Sequence, residues 1–334
     1  MSKLMITIPG RVRPRRLRRT QRLRDLVAET HIAPAQLIVP RFVLPQTKGI
    51  EPIPSLPGLA QLGTDDLCAV VEDELELGIR AVLLFGHPET GAQKTSDGRL
   101  AWDPNGAVQR ATAALKKHFG DDLIVMTDVC LCAYTDHGHC GLIEQGLVAN
   151  DVSLEPIVRT ALSHAEAGAD VVAPSDMMDG RVAAIRDGLD GDGHTNVILM
   201  AYAVKYASGY YGPFRDAADS APAEGDRQSY QMDARNAREA LREVALDELE
   251  GADMIMVKPA LAYLDVIRAV SEVTTLPLSA YNVSGEYAAV KAAAANGWLN
   301  EARVVRENLH AIARAGADQI ITYHAADAIR GGWL

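Results

Sequence analysis

Short apolar segments recur along the chain at intervals that leave room for a helix between successive segments. Each segment is rich in β-branched residues and is apolar at nearly every position rather than at alternate positions. Strands that are covered on both faces, as in parallel sheets, have this continuous pattern. The pattern predicts eight strands, at residues 37–43, 81–86, 123–129, 169–175, 197–205, 252–259, 276–283 and 317–324.

Most of the intervening stretches have helical spacing, for example "SLEPIVRTALSHAEAGAD". The similar junctions "ELGIR", "EAGAD", "LEGAD" and "RAGAD" precede the second, fourth, sixth and eighth strands. In each junction a helix ends at a glycine that can adopt the left-handed conformation, and a strand follows directly. Eight such units predict an α/β fold of the (β/α)8 TIM barrel type, with an open doubly wound sheet as the alternative. No GxGxxG or GxxxxGK[ST] loop follows a strand, so nucleotide binding has no support.

Length and composition fit a large α/β domain in a reducing compartment. The chain has 334 residues, 48% hydrophobic, and only four cysteines, which are too few for a secreted scaffold held by disulfides. No apolar run reaches the ~18 residues of a membrane helix, and the N-terminus lacks the apolar segment of a signal peptide. We therefore expect a cytoplasmic protein, in which clustered cysteines indicate a metal site or catalysis rather than disulfides.

Positive charge is concentrated near the N-terminus of a chain whose net charge is -11. Eight arginines and no acidic residue lie between Arg11 and Arg24. Such a segment fits a nucleic-acid arm, a transit peptide, a solvated tail, or an arm that contacts an acidic neighbouring subunit. Because the acidic remainder of the chain would repel nucleic acid, we interpret residues 1–30 as an arm for subunit contacts and residues 31–334 as the catalytic barrel.

Two lysines end successive predicted strands. Lys205 ends the fifth strand and Lys258 closes the sixth, and barrel enzymes have their active sites at these strand ends. Burial and a second positive charge both lower the pKa of a lysine, and a neutral amine forms Schiff bases with ketones or aldehydes. The alternative is that each amine reaches solvent or pairs with a carboxylate such as Asp128, which ends the third strand.

Three of the four cysteines lie within "DVCLCAYTDHGHC". Thiolates from Cys130, Cys132 and Cys140 suit tetrahedral Zn²⁺ with one position open for catalysis or substrate binding. A fourth ligand from His137 or His139 would instead make the site structural. The C-x-x-C spacing of a thioredoxin-type redox pair is absent, and unliganded buried cysteine is the remaining alternative.

Residues 206–230 have neither helical nor strand periodicity and are rich in Gly, Ala, Ser, Pro and Tyr. A loop of this length within a compact domain is typical of an active-site lid. Its Arg215 and Arg227 are suited to hold a carboxylate by bidentate hydrogen bonds, unless they are ordinary surface arginines. Ser175 ends the fourth strand and is a candidate substrate-binding residue from that position.

Several long motifs resemble the porphobilinogen synthase family, also called 5-aminolevulinate dehydratase. They are "DVCLC", "HGHCG", "APSDMMDGRV", "KYASGYYGPFRDAA", "GDRQSYQM", "MVKPA", "YNVSGEY" and "ITYHA". The resemblance covers almost the whole chain. It implies condensation of two 5-aminolevulinate molecules to porphobilinogen, with loss of two waters, in tetrapyrrole (haem) synthesis, and it implies a homo-oligomer, which we expect to be an octamer.

Without this resemblance, the residues leave two other hypotheses open. One is a Schiff-base lyase of the class I aldolase type, which needs one lysine and no thiolate metal. The other is a non-enzymatic zinc and nucleic-acid module that uses the basic arm. The second lysine and the cysteine triad argue against the aldolase, and the acidic body argues against nucleic-acid binding.

The resemblance implies catalytic roles for three residues. The two substrate molecules of this family bind at two places, which are called the A site and the P site. Lys258, in "MVKPA", would form the Schiff base with the substrate at the P site. Lys205 would form the Schiff base at the A site, and Asp128 would be its proton-transfer partner.

The resemblance also implies which residues hold the substrate carboxylates. Arg215 and Arg227, with Gln231, would hold the carboxylate at the A site. Ser284, in "YNVSGEY", and Tyr323, in "ITYH", would hold the carboxylate at the P site.

Two metal sites follow from the same resemblance. Family members that keep all three cysteines use zinc, so Cys130, Cys132 and Cys140 are expected to hold a catalytic zinc at the A site. Glu243, in "REALRE", matches the segment where many bacterial members bind an allosteric Mg²⁺. Its alternative role is that of a helix-surface partner for Arg238 or Arg242.

Overall fold

A computed structural model describes residues 12–88, 94–223 and 225–334 of the chain. It divides into two compact units, Met1–His31 and Ile32–Leu334. In the first unit, a 3-10 turn at Pro14–Arg18 is followed by the short helix α1 (Gln21–Leu26), and neither element contains a buried residue. Arg11, the first arginine of the predicted arm, lies outside the described residues.

The second unit contains the strands and the remaining helices. Its strands are β1 (Leu37–Val43), β2 (Ile50–Pro52), β3 (Ala60–Leu62), β4 (Ala81–Gly86), β5 (Ile124–Val129), β6 (Ile143–Glu144), β7 (Leu147–Val148), β8 (Val171–Pro174), β9 (Ile198–Lys205), β10 (Met254–Lys258), β11 (Leu278–Asn282) and β12 (Gln319–Thr322). Its α-helices are α2 (Thr64–Glu76), α3 (Ala107–Phe119), α4 (Asn150–Glu166), α5 (Arg181–Gly191), α6 (Gly212–Ala217), α7 (Arg238–Leu249), α8 (Leu264–Ser271), α9 (Ser284–Ala295), α10 (Glu301–Ala315) and α11 (Ala325–Arg330). Single 3-10 turns lie at Pro34–Gln36, Arg99–Trp102, Gly120–Asp122, Gly209–Tyr211 and Leu261–Tyr263.

Eight parallel strands close into a barrel. In order they are β1, β4, β5, β8, β9, β10, β11 and β12, and β12 pairs with β1 to complete the ring. Each corresponds to one of the eight strands predicted from the apolar pattern. The (β/α)8 prediction is therefore confirmed, and the open doubly wound sheet is excluded because the two end strands pair.

The barrel interior is filled by side chains rather than open. In β4, Leu83 and Phe85 belong to the interior cluster, whereas Val82 and Leu84 pack with residues of α2 and α3 on the outside. Burial on both faces explains why the strand is apolar at every position. Each such side chain contributes about 1.5–3 kcal/mol when it is fully buried.

The glycine junctions adopt the predicted left-handed conformation. Gly78, Gly168, Gly251 and Gly316 all have positive φ, from +86° to +123°. A residue with a Cβ would be strained at these positions, so glycine lets the chain turn directly from helix to strand.

Three of these junctions are followed by an aspartate that fastens two strand starts together. The carboxylates of Asp170, Asp253 and Asp318 each accept the backbone N–H of a residue near the start of the preceding barrel strand, at 2.8 Å. Each aspartate also donates its own N–H to the carbonyl of that same residue. We call these three residues the aspartate clasps, and they lie at the N-terminal end of the barrel.

The segment at residues 206–230 is not a loop throughout, which corrects the prediction from its lack of periodicity. It contains the turn Gly209–Tyr211 and the helix α6. The Ser208 hydroxyl accepts the Tyr210 N–H at the start of the turn, and Pro213 occupies the first turn of α6. These elements are too short to have a measurable helical period.

Among the described residues, no helix has both the length and the apolar character that crossing a membrane requires.

Candidate active site

The C-terminal end of the barrel carries six of the thirteen predicted site residues. They reach it from six consecutive barrel strands, either inside the strand end or within two residues after it. These residues are Asp128 (β5), Ser175 (after β8), Lys205 (β9), Lys258 (β10), Ser284 (after β11) and Tyr323 (after β12).

The two lysines lie side by side. Lys258 is the direct pairing partner of Lys205 between β10 and β9, and only 5% and 4% of the two residues is exposed. The Lys205 amine donates a hydrogen bond to the Ser175 carbonyl. The alternative in which each amine reaches solvent therefore does not apply, since both are buried.

Aromatic rings surround the Lys258 amine. Its Nζ lies 4.5 Å from the ring centroid of Tyr281, 5.1 Å from that of Phe214, and 5.2 Å from those of Tyr202 and Tyr211. Burial among these rings, together with the nearby charge of Lys205, lowers the pKa of Lys258 to about 7. The neutral amine is therefore accessible to Lys258 near pH 7.

These four aromatic residues were not singled out from the sequence. Tyr202 and Tyr281 lie inside apolar strands and resemble ordinary core residues, while Tyr211 and Phe214 belong to the lid segment. The one sequence signal that could have identified Tyr202 was its position on the same strand as Lys205.

Asp128 is the carboxyl whose charge acts most strongly on the Lys258 amine. Its Oδ1 is buried and has no hydrogen-bond partner among the described residues. Burial raises the pKa of Asp128, while the charges of Lys205 and Lys258 oppose that rise. A buried carboxyl whose ionisation is balanced in this way is suited to exchange a proton with an adjacent amine.

The three cysteines Cys130, Cys132 and Cys140 form one buried cluster. Their Sγ atoms all lie within 4.8 Å of one another, and those of Cys130 and Cys132 are 3.3 Å apart. All three are free thiols, which excludes a disulfide. Hydrogen bonds from the other two thiols lower the pKa of Cys132, and the charge of Arg227 contributes in the same direction. Three close sulfur ligands fit a soft or borderline ion such as Zn²⁺.

Neither nearby histidine belongs to this ligand group within the part of the chain that the structure describes. His139 Nδ1 instead shares a hydrogen bond with the Tyr230 hydroxyl at 3.1 Å, and Tyr230 packs against the cysteines. His137 Nε2 contacts the Ser96 carbonyl at 3.3 Å. Within the described residues, the group of close metal-ligating atoms therefore consists of the three thiols.

The cysteine loop and the lid segment are in direct contact. Gly138 has φ +69°, and a Cβ at this position would lie 2.3 Å from the Ala221 carbonyl oxygen. Arg227 donates from Nη2 to the carbonyls of Gly138, at 2.9 Å, and Ser220, at 2.6 Å. Glycine at position 138 thus allows the cysteine loop to pack against the lid segment, and the hydrogen bonds of Arg227 hold the two segments together.

Arg215, Arg227 and Gln231 line a common cavity of about 380 Å³. Both side-chain polar atoms of Gln231 and the Nε atoms of both arginines are buried without hydrogen-bond partners among the described residues. Buried polar groups are ordinarily satisfied, so an anionic or amide-like ligand would complete them. The structure therefore brings these three predicted residues together.

Ser284 and Tyr323 lie on the side of the site that contains Lys258. The Ser284 hydroxyl accepts the Phe214 N–H at 3.0 Å and donates to the Tyr210 carbonyl at 3.3 Å. The Tyr323 hydroxyl shares a 3.0 Å hydrogen bond with Tyr281, whose ring covers the Lys258 amine. Neither residue lines the arginine cavity.

Glu243 does not belong to the barrel-mouth cluster. It is half-buried on α7 and lines a cavity of about 390 Å³ together with Asp179, Asp233 and Glu239. This cavity shares Gln231 and Asp233 with the arginine cavity. Burial raises the pKa of Glu243, and Arg181 is the main opposing positive charge. The acidic lining suits a hard cation, which keeps oxygen ligands and water.

Comparisons with known proteins agree with one another. The family model described as "Delta-aminolevulinic acid dehydratase" matches residues 11–331. The chain is 54% identical over 327 residues to the delta-aminolevulinic acid dehydratase of Synechocystis sp., covering 97% of this chain and 98% of that protein. It is 51% identical over 322 residues to the Bacillus subtilis protein of the same name, covering 96% of this chain and 98% of that protein.

A solved structure is similar over nearly the full chain. It is the delta-aminolevulinic acid dehydratase (porphobilinogen synthase) of Toxoplasma gondii ME49 in complex with the reaction product porphobilinogen. The TM-score is 0.93 at 44% identity, covering 97% of this chain and 92% of that chain. By sequence, by family model and by fold, the chain belongs to the delta-aminolevulinic acid dehydratase family.

Proposed function

We propose that the chain condenses two molecules of 5-aminolevulinate to one molecule of porphobilinogen and two of water, within tetrapyrrole (haem) synthesis. The observation that carries this proposal is the direct pairing of Lys205 with Lys258 at the end of β9 and β10. A reaction that joins two keto substrates has a use for two adjacent amines, whereas a class I aldolase needs one. The cysteine cluster beside the lysines and the names of the relatives support the same reaction.

Lys258 is the amine best prepared for nucleophilic attack. Its aromatic surroundings favour the neutral form, which attacks the keto carbon of the substrate at the P site. Nitrogen replaces the carbonyl oxygen, which leaves as water. Lys205 acts in the same way on the substrate at the A site, and both lysines are released at the end of each cycle.

Proton transfer next to Lys205 is assigned to Asp128. The carboxyl is buried, and the charges of Lys205 and Lys258 oppose the rise that burial causes in its pKa. A proton taken from the substrate or from an amine can therefore rest on Asp128 before it returns.

Substrate orientation comes from two separate sets of polar groups. Arg215, Arg227 and Gln231 hold the A-site carboxylate, and the unsatisfied atoms in their cavity support this role. Ser284 and Tyr323 hold the P-site carboxylate close to Lys258. Ser175 is a further substrate-binding residue, and its backbone carbonyl accepts a hydrogen bond from the Lys205 amine.

Two metal ions are part of the proposal. Cys130, Cys132 and Cys140 would hold a catalytic Zn²⁺, which when bound would supply a Lewis acid to orient the amino group of the A-site substrate and assist its deprotonation. Glu243 would hold an allosteric Mg²⁺ through one carboxylate and water in its acidic cavity.

Assembly and location complete the proposal. Residues 1–30 form an arm that contacts neighbouring subunits of a cytoplasmic homo-octamer, and residues 31–334 form the catalytic barrel. The lid is the segment around residues 206–230.

The reaction is tested by incubating the purified protein with 5-aminolevulinate and measuring porphobilinogen. Reduction with borohydride in the presence of 5-aminolevulinate, followed by peptide mapping, should find substrate attached to Lys258. An aldolase would instead cleave or form an aldol without making porphobilinogen. Absence of porphobilinogen from the metal-loaded protein would overturn the proposal.

A further inference from the structure

Glu286 is a buried carboxylate that the proposed chemistry does not use. It lies in the first turn of α9, with 3% of the residue exposed. Its Oε2 accepts the Val283 N–H at 2.9 Å and the Asn282 Nδ2 at 2.9 Å. Its Oε1 accepts the Leu261 N–H at 2.7 Å. The three donors therefore come from two different strand–helix connections, which Glu286 ties together.

The network continues to a third strand. Asn282 Oδ1 accepts the Thr322 hydroxyl at 3.0 Å, and Thr322 Oγ1 accepts the His324 N–H at 3.2 Å. Glu286, Asn282 and Thr322 are all buried. They connect the C-terminal ends of β10, β11 and β12, the three strands that present Lys258, Ser284 and Tyr323. We call Glu286, Asn282 and Thr322 the Glu286 network.

We propose that Glu286 is a positioning residue that sets the distances among Lys258, Ser284 and Tyr323. The proposal rests on the function proposed above, because it assigns these three residues to one substrate. Leu261 lies three residues after Lys258, Ser284 lies two residues before Glu286, and Tyr323 follows Thr322 directly. A shift in any one connection would change the spacing between the nucleophile and the carboxylate-binding hydroxyls.

A glutamine at position 286 can satisfy only part of this set of donors. In the structure Asn282 Oδ1 accepts the Thr322 hydroxyl, and its Nδ2 is directed toward position 286. The side chain introduced by Glu286→Gln has a single acceptor oxygen, and its NH2 group would meet an N–H donor on one side. If the amide oxygen accepts the donors of Val283 and Asn282, the Leu261 N–H loses its hydrogen-bond partner. The connection that follows Lys258 is then no longer held to α9.

The test is Glu286→Gln, assayed for porphobilinogen formation as a function of substrate concentration. We expect KM to rise about tenfold while kcat stays within about threefold, because the P-site carboxylate contacts contribute to binding throughout the reaction. A matched control is Asp318→Ala, which removes a carboxylate-to-backbone link at the opposite end of β11, to Leu278. The control should lower the melting temperature without changing KM.

A compensating double variant separates positioning from simple loss of charge. When Glu286→Gln is combined with Asn282→Asp, the new glutamine oxygen can accept the Leu261 N–H, and its amide can donate to the new aspartate. That aspartate still accepts the Thr322 hydroxyl, so the chain of bonds is restored except at Val283. We expect KM to return to within about threefold of the wild-type value.

Thr322→Val gives a milder break if Glu286→Gln does not fold. It removes the hydroxyl link to Asn282 without changing the side-chain shape, and KM should rise about threefold. An unchanged KM in the folded single variants, or an equal KM increase in Asp318→Ala, would overturn the positioning role. An inactive wild-type protein would instead contradict the proposed function itself, so the two failures are distinguishable.

Discussion

Lys205 and Lys258 face each other as a register pair between two parallel strands, and both amines are buried at the same end of the barrel. The charge of Lys205 acts together with burial to lower the pKa of Lys258. The Lys258 amine is also enclosed by aromatic rings. The pairing therefore supplies one neutral nucleophile near pH 7 and keeps a second amine beside it.

Replacement of either lysine should abolish most of the activity. We expect Lys258→Met and Lys205→Met each to reduce kcat by ~10³-fold or more, because no other amine can form the missing Schiff base. Lys291→Met is a suitable control, since Lys291 forms ion pairs with Glu301 and Asp327 away from the strand ends. Near wild-type turnover in Lys258→Met would refute the Schiff-base assignment.

The pH dependence of substrate trapping should report the Lys258 amine. Its pKa is lowered to about 7, so the neutral form is populated above this pH and is lost as the pH falls through it. Borohydride trapping on Lys258 should therefore increase as the pH rises through about 7 and then level off. In Lys205→Met the repelling charge is gone, so the midpoint should move to higher pH. A midpoint that does not move would show that Lys205 exerts no influence on Lys258.

Removal of the thiolate metal should abolish activity reversibly. A strong chelator should inactivate the enzyme, Zn²⁺ should restore it, and Mg²⁺ alone should not, because three thiolates favour the softer ion. Cys132→Ala should lose both bound zinc and activity, whereas Cys68→Ala should keep both, since Cys68 lies outside the cluster. Metal content is measured together with turnover. Full activity in a zinc-free sample would return the cysteines to a structural role.

Glu243→Ala should separate the second metal from the first. We expect zinc content to stay intact and the stimulation by Mg²⁺ to disappear, because the acidic cavity of Glu243 is distinct from the thiol cluster. Glu155→Ala serves as the control, since Glu155 is an exposed helix residue paired with Arg159. Titration of turnover with Mg²⁺ measures the effect. An undiminished response in the Glu243 variant would place the magnesium elsewhere.

Deletion of residues 1–24 should reduce the oligomer size. The deletion removes eight arginines from a chain whose net charge is -11, and with them the attraction to an acidic neighbour. Analytical ultracentrifugation should show smaller assemblies, and activity should weaken if neighbouring subunits order the lid. A sedimentation coefficient that changes only by the lost mass would contradict a role in assembly.

The barrel was predictable because its signals are local. Continuous apolar runs marked all eight strands, and glycine at the helix ends marked four of the junctions. The positions of Lys205, Lys258 and the cysteines followed from the rule that barrel chemistry lies at the strand ends. The short strands β6 and β7, with two residues each, have no comparable pattern.

The parts that were missed depend on contacts between distant segments. Tyr281 looks like a core residue until the fold brings Lys258 beside it. Glu286 looks like an ordinary first-turn glutamate, because its contact with Leu261 joins residues 25 positions apart. Residue type and spacing carry no information about such partners, since the barrel closure determines them.

The aspartate clasps lie at the end of the barrel opposite to the paired lysines, and this arrangement has a practical consequence. Asp170, Asp253 and Asp318 hold strand starts together through bonds to Val125, Leu199 and Leu278, none of which is assigned to the substrates. Substitutions that change thermal stability at the N-terminal end of the barrel should therefore have little effect on substrate preference, which is determined at the C-terminal end.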